Sequence, residues 1–262
     1  MESSLFTDHF GFKLPALVNF VGGGGKTRLI LTLASEYSGR HAVLYTTTTR
    51  IHPPDVTDGV ALISCDDLNL LKQILARVGR HSFDHTVRFT LTRLEMKPGL
   101  LRGVPSNFCT SVDRENFPLI LNEADGARGM SLKMPRADEP VLMGGADYLV
   151  PVIGLDCLNK PLGPETLFRW ETAAERFSLK AGDSLTPETA AALLLHRSGV
   201  CKDWQEGVRL VPYINKVDSE KDEPAARDLA HALLQNPNFP VERVVWGSLT
   251  HRRATSLASS AQ

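Results

Sequence analysis

An apolar run, Ala16-Leu17-Val18-Asn19-Phe20-Val21, ends in four consecutive glycines, Gly22 to Gly25, which lead into Lys26-Thr27 and the amphipathic stretch Leu29 to Ala34. No other feature constrains the fold as tightly. Four glycines strip the side chains from a turn, so backbone N–H groups can close around an anion. Lys26 then supplies positive charge for terminal phosphates, and Thr27 a hydroxyl of the kind that ligates Mg²⁺. The stretch that follows reads as a helix whose N-terminal dipole faces the same anion. Together these parts predict a phosphate-binding loop between a strand and a helix. The spacing departs from the usual pattern, which has a glycine where this chain has Phe20, so a shortened or re-angled loop is expected. Glycine runs also make flexible linkers, but a linker rarely sits between a β-type run and an amphipathic helix and carries Lys-Thr.

Runs rich in Val, Ile, Leu, Phe and Tyr recur between amphipathic stretches. Strands are expected at 16–21, 42–46, 60–63, 86–93, 117–122, 147–153, 208–214 and 241–246, and helices at 26–38, 66–79, 164–177, 186–196, 222–235 and 248–258. Several strands are nearly continuous apolar runs, as a parallel sheet covered on both faces requires. The alternation predicts an α/β fold, a doubly wound and mainly parallel sheet, within one domain spanning 1–262. Residues 84–110 break the rhythm: the alternation from Thr86 to Arg93 and the turn Lys97-Pro98-Gly99 suggest a small antiparallel insertion.

With 262 residues and a formal net charge of −1, the chain can bury a sizeable core and offers no basic surface for nucleic acid or membrane. No apolar run approaches the ~20 residues of a membrane span. The amino terminus lacks the basic start and apolar centre of a secretory leader, so a cytoplasmic location is expected. Cys65, Cys109, Cys157 and Cys201 stand far apart, with neither zinc-site nor disulfide spacing. His81, Asp84 and His85 can share one side of a helix, an arrangement more often a solvated face than a metal site.

Nucleotide sites in open α/β sheets form beyond the carboxyl ends of the strands. Three further strand ends carry suitable groups. Thr46-Thr47-Thr48-Thr49-Arg50 offers hydroxyls and a guanidinium for Mg²⁺, a γ-phosphate or an anionic substrate; the competing reading is continuation of the strand. Glu123-Ala124-Asp125-Gly126 offers carboxylates, one to hold Mg²⁺ directly or through water and another to orient a nucleophile. An Asp-Gly pair is also an ordinary turn signal. Asn215-Lys216-Val217-Asp218 fits a guanine-reading loop: the carboxylate accepts two N–H bonds that adenine does not offer, and the lysine stem packs over the base. Val244 to Leu249 follows where a further base-contacting loop is expected. A Rossmann dinucleotide site fits less well, because Gly22-x-Gly24 has no third glycine at the right spacing.

These segments resemble the YqeC family, proposed accessory proteins of selenium-dependent molybdenum hydroxylases. The resemblance runs through Val21 to Thr27, Thr46 to Ile51, Glu123 to Arg128, Leu132-Lys133-x-Pro135, Glu139-Pro140-Val141, Gly154 to Leu162 and Asn215-Lys216-x-Asp218. It implies a P-loop NTPase type of fold and a role in maturing such a hydroxylase, with that enzyme or a cofactor-maturation protein as partner. The leading expectation is a Mg²⁺-dependent GTPase. In it Gly22, Gly23, Gly24, Gly25 and Lys26 bind phosphates, Thr27 and Asp125 hold Mg²⁺, and Lys26, Glu123 and Asp125 serve catalysis. Thr48 and Thr49 sense the γ-phosphate, and Asn215, Lys216 and Asp218 read the base. Two alternatives stay open: a small-molecule kinase or ligase using GTP or ATP, and a non-hydrolysing nucleotide-bound scaffold.

Overall fold

The structure, a computed structural model, describes residues 6–51, 60–80, 87–91, 99–112 and 114–259. In chain order the strands are β1 (Ala16–Gly22), β2 (Val43–Thr47), β3 (Arg50–Ile51), β4 (Val60–Ser64), β5 (Val87–Leu91), β6 (Leu101–Arg102), β7 (Leu119–Glu123), β8 (Tyr148–Gly154), β9 (Arg209–Leu210), β10 (Tyr213–Asn215), β11 (Arg243–Ser248) and β12 (Arg253–Ala258). The helices are α1 (Phe6–Phe10), α2 (Lys26–Ser38), α3 (Leu68–Arg80), α4 (Trp170–Phe177), α5 (Pro187–Leu194) and α6 (Glu223–Leu234).

The sheet runs β12-β11-β10-β8-β1-β7-β2-β5-β4, with β9 beside the start of β8, and only the β11–β12 pair is antiparallel. A separate two-residue antiparallel ladder joins β3 to β6. The fold is thus α/β with a mainly parallel sheet and a small extra sheet. Strands β1, β7 and β8 are buried along their whole length, as their largely apolar sequences require, and Asn19, Asn122 and Glu123 are buried with them. Alternate residues feed opposite cores. Val18 and Phe20 pack with Leu29, Ile30 and Leu33 of α2 on one face. On the other face Val21 joins the core of α5 and α6, and Leu17 joins Leu71 and Leu75 of α3.

Four expectations are corrected. Residues 248–258 form a turn and β12 rather than a helix, because pairing six residues with β11 satisfies a backbone that Ala, Leu and Arg would otherwise wind. The helix expected at 164–177 begins only at Trp170: Phe168 bridges to Lys133 in extended form, its N–H donating to the Leu132 carbonyl. The strand expected at 208–214 is split into β9 and β10. The run from Val87 is no half-exposed antiparallel strand, since β5 lies parallel between β2 and β4 with Arg88 and Thr90 buried. The antiparallel element near it is the β3–β6 ladder. His81, Asp84, His85, Lys97 and Pro98 lie outside the described residues, and among those described no group of three or more His, Cys, Asp or Glu side chains is placed to hold a metal. No helix among them is long and apolar enough to cross a membrane.

Candidate functional site

Parallel strands β1, β7 and β2 deliver their carboxyl ends to one edge of the sheet, with Phe20 paired to Glu123 and Glu123 to Thr47. Beyond β1 the glycine loop runs along the ends of β8 and β10. Gly24 has φ of +77° and a Cβ there would strike the Gly154 backbone; Gly25 has φ of +119° and a Cβ would stand 2.6 Å from the Asn215 amide. Side chains at either position are therefore excluded. The loop N–H groups of Gly23 and Gly24 donate to the carbonyls of Val152 and Met130. Helix α2 starts after Gly25 with no side-chain cap, so its first-turn N–H groups stay available to an outside acceptor.

Glu123 shares the face of β7 that α2 covers. Its carboxylate accepts from the Thr27 hydroxyl at 2.9 and 3.1 Å and from the Tyr45 hydroxyl at 2.9 Å. Burial raises its pKa above the carboxylate norm, against the opposing pull of Lys26 and these two hydroxyls. A threonine hydroxyl and a desolvated carboxylate thus converge on a cavity wall.

Asp125 is placed differently from its expected role. It is fully buried, accepts the Gly22 N–H on both oxygens at 3.1 Å, and lies 3.1 Å from each of Lys26 and Lys133. Lys26 turns inward, donating to the Gly22 carbonyl at 2.5 Å. Lys133 continues the chain of charge to Glu139 at 3.0 Å, and Glu139 lies 2.8 Å from Arg169. Signs alternate along Lys26, Asp125, Lys133, Glu139 and Arg169, which is how buried charges are tolerated. Although desolvation opposes it, Arg169 and Lys133 hold the Glu139 carboxyl down at about 2. Asp125 thus braces the loop and its lysine, and of the two neighbouring acids Glu123 is the one that lines the cavity.

A cavity of about 1610 Å³ opens above these groups, lined by Gly23 to Thr27, Thr48 to Ile51 and Glu123 among others. The threonine run is mostly spent on structure: Thr46 and Thr47 donate to the carbonyls of Thr90 and Glu123, and Thr48 to that of Val141. Thr48 and Thr49 reach the cavity wall.

The Asn215-Lys216-Val217-Asp218 segment sits on the other flank of the loop, off that wall. Asn215 donates to the Gly24 carbonyl at 2.6 Å, which ties the segment to the glycine loop. Asp218 accepts from Ser248 at 2.5 Å, so β10 and β11 bring the two expected base-contacting loops together. Lys216, at φ of +65°, is pinned by Asp156 at 2.9 Å and Ser131 at 2.7 Å. Cys157 is buried, and desolvation pushes its thiol up to about 12.

Sequence reasoning passed over Tyr45, Phe168 and Arg169 as site groups, and met Lys133 and Glu139 only as members of longer segments. Lys133 left one signal, a lysine alone between Leu132 and Met134. Arg169 left none, because its segment reads as a helix.

The model of the family described as YqeC protein matches residues 18–171, which include the glycine loop, Glu123, Asp125, Lys133, Glu139 and Arg169. A protein of Escherichia coli (strain K12) called "Uncharacterized protein YqeC" is 30% identical over 237 residues, covering 89% of this chain and 89% of its own. No solved structure matches. With a family model matched over more than half its length and a relative aligned over most of both chains, this chain belongs to the YqeC family.

Proposed function

We propose that this protein binds and hydrolyses a nucleoside triphosphate with Mg²⁺, GTP being the expected nucleotide, in the cytoplasm. The observation that carries this reading is the uncapped start of α2 behind Gly22 to Gly25, with Lys26, Thr27 and Glu123 gathered at one cavity floor. Triphosphate oxygens would take the free first-turn N–H groups, with Lys26 at hand. Thr27 and Glu123 would hold Mg²⁺, which supplies neutralisation of phosphate charge. Lys26 is held by Asp125 and the Gly22 carbonyl, which keeps its ammonium at the loop. The preference for guanine over adenine rests on the Asn215-Lys216-Val217-Asp218 sequence, which Asn215 ties to the glycine loop and whose Asp218 carboxylate would accept from the base edge. Service as an accessory factor to a selenium-dependent molybdenum hydroxylase, with that enzyme or a cofactor-maturation protein as partner, is supported by the family resemblance.

A second reading, transfer of the terminal phosphoryl group to a small acceptor, is favoured by the extension of the cavity well beyond the loop. Phosphate release from GTP and ATP tests the first. Wild-type protein should turn over only with Mg²⁺, and Glu123→Gln should lower the rate and the apparent Mg²⁺ affinity about 10–100-fold. Turnover indifferent to Mg²⁺, or to this substitution, would remove Glu123 and the metal from the mechanism.

A further inference from the structure

The segment that leaves β7 is clamped at both ends to the glycine loop and its buried charges. Asp125 accepts the Gly22 N–H, and the next carbonyl, that of Gly126, accepts from Lys133 at 2.7 Å. Four residues on, the Met130 carbonyl accepts the Gly24 N–H at 2.9 Å, and a Cβ on Gly23 would collide with that same oxygen. The two backbones are therefore in contact. Between the clamps the Met130 N–H closes on the Ala127 carbonyl at 3.0 Å, with φ of +50° at Arg128 and +79° at Gly129. Positive φ at both central positions makes a type I′ turn, whose first central position suits Asn, Asp or Gly. Arginine is held there in a left-handed conformation that its Cβ disfavours.

Residues Gly126 to Met130 form a continuous stretch of the cavity wall, which Gly23 to Thr27 and Glu123 also line. Arg128 stands two residues from Met130, so its Cα lies at most about 7.6 Å from the residue bonded to the loop. Its side chain is exposed and joins no hydrogen bond or ion pair among the described residues. The cations around it are paired: Lys133 with Asp125 and Glu139, Arg169 with Glu139, and Arg136 with Asp138 and Glu139. What the Arg128 guanidinium meets instead is the Phe168 ring, with the ring centre 5.1 Å away. A cation–π contact at an exposed site is weaker than a charge-assisted hydrogen bond to phosphate. A phosphoryl oxygen in the cavity would therefore draw the guanidinium off the ring.

We propose that Arg128 is a catalytic residue of the triphosphatase, contacting the terminal phosphoryl group while it is transferred to water. The assignment deepens the nucleotide reading and rests on it. In that step the water oxygen bonds to the γ-phosphorus and the bond from phosphorus to the β–γ bridging oxygen breaks. The electron pair stays on the bridging oxygen of the departing diphosphate, and the released phosphate carries both protons of the water. Guanidinium N–H groups meet the charge that grows on the bridging and terminal oxygens, so they speed the reaction more than they tighten binding. The clamped turn fixes the Arg128 backbone against the glycine loop, and its strained conformation is of the kind retained where a residue must be presented to a ligand.

The test pairs GTP turnover with Mg²⁺ and calorimetry of a non-hydrolysable GTP analogue, on wild-type protein and Arg128→Gly. Glycine suits φ of +50° and the lost side chain is exposed, so thermal unfolding should match wild type. The variant's kcat should fall about 100–1,000-fold, while its affinity for the analogue changes less than about threefold. Added guanidinium ion, far below denaturing concentrations, should restore part of the rate to the variant and none to wild type.

A kcat within about threefold of wild type would overturn the assignment. So would a loss of rate matched by an equal loss of analogue affinity, which would make Arg128 a binding group, or a loss that guanidinium leaves untouched, which would make it a residue of the turn's shape. In each of those cases wild-type turnover stands and only Arg128 is displaced. Wild-type protein that turns over neither GTP nor ATP would instead bring down the hydrolysis reading, and the role of Arg128 with it.

Discussion

Replacing Lys133 with Met isolates the buried charge chain behind the glycine loop. The substitution keeps an unbranched stem of similar volume and removes the ammonium. Lys133 has no exposed side-chain surface, and its Nζ lies 3.1 Å from Asp125, 3.0 Å from Glu139 and 2.7 Å from the Gly126 carbonyl. Breaking a buried pair from one side costs about 3–5 kcal/mol, because the partner charge stays buried. Asp125 would keep Lys26 and the Gly22 N–H, and Glu139 would keep Arg169 and Arg136, so the lower end applies, about 3 kcal/mol. At roughly 2–4 °C per kcal/mol for a chain near this size, the melting temperature should fall by about 6–12 °C.

The pH dependence separates charge from packing. In the folded protein Arg169 and Lys133 hold the Glu139 carboxyl at about 2, below its ordinary 4.5 and against the opposing effect of burial. A depressed carboxylate contributes stability that is fully present above its unfolded pKa and is lost as pH falls through the folded one. Lys133→Met should return the Glu139 carboxyl toward its ordinary range and forfeit part of that contribution. Urea unfolding at pH 7, 4.5 and 3 should therefore show the gap between variant and wild type narrowing as pH falls from about 4.5 toward about 2. A gap under about 1 kcal/mol at pH 7, or one unchanged across that range, would refute the argument and leave only lost packing.

Two other expectations concern the flanks of the site. Asp218→Asn should shift the preference between guanine and xanthine nucleotides by at least about tenfold; an unchanged preference in competition binding would make residues 215–218 a bystander loop. Thiol labelling of the native protein at pH 7.5 should modify Cys65, which is half-buried, well before Cys109, Cys157 and Cys201, which are buried. Rapid labelling of Cys157, whose thiol sits at about 12, would contradict its placement.

The parts of this site that could be read from sequence are those at strand ends. Gly22 to Thr27, Thr48-Thr49 and Glu123 each follow an apolar run, and parallel pairing gathers such ends at one edge. Pairing of charges was not legible. Asp125 and Glu123 stand two residues apart, yet one is sealed between lysines and the other lines the cavity, a difference set by Lys26 of α2 and by Lys133 of a connecting segment. Lys133, Glu139 and Arg169 come from connecting segments without periodicity. The extended stretch before Trp170 is held by backbone bonds to Leu132 and Met134, a tertiary constraint that overrides its helical composition. The same override turned 248–258 into an edge strand, with Ala254 packed toward the α2 core and Leu257 toward the α6 core.

The most direct test of the central claim is calorimetric titration of GTP, GDP, ATP and ADP with Mg²⁺ into wild-type protein and Lys26→Ala. Tight, selective GTP binding by the wild type, lost in the variant while its fold is retained, is the predicted result. No binding of any nucleotide, or binding that survives the loss of Lys26, would contradict a phosphate site at Gly22 to Thr27.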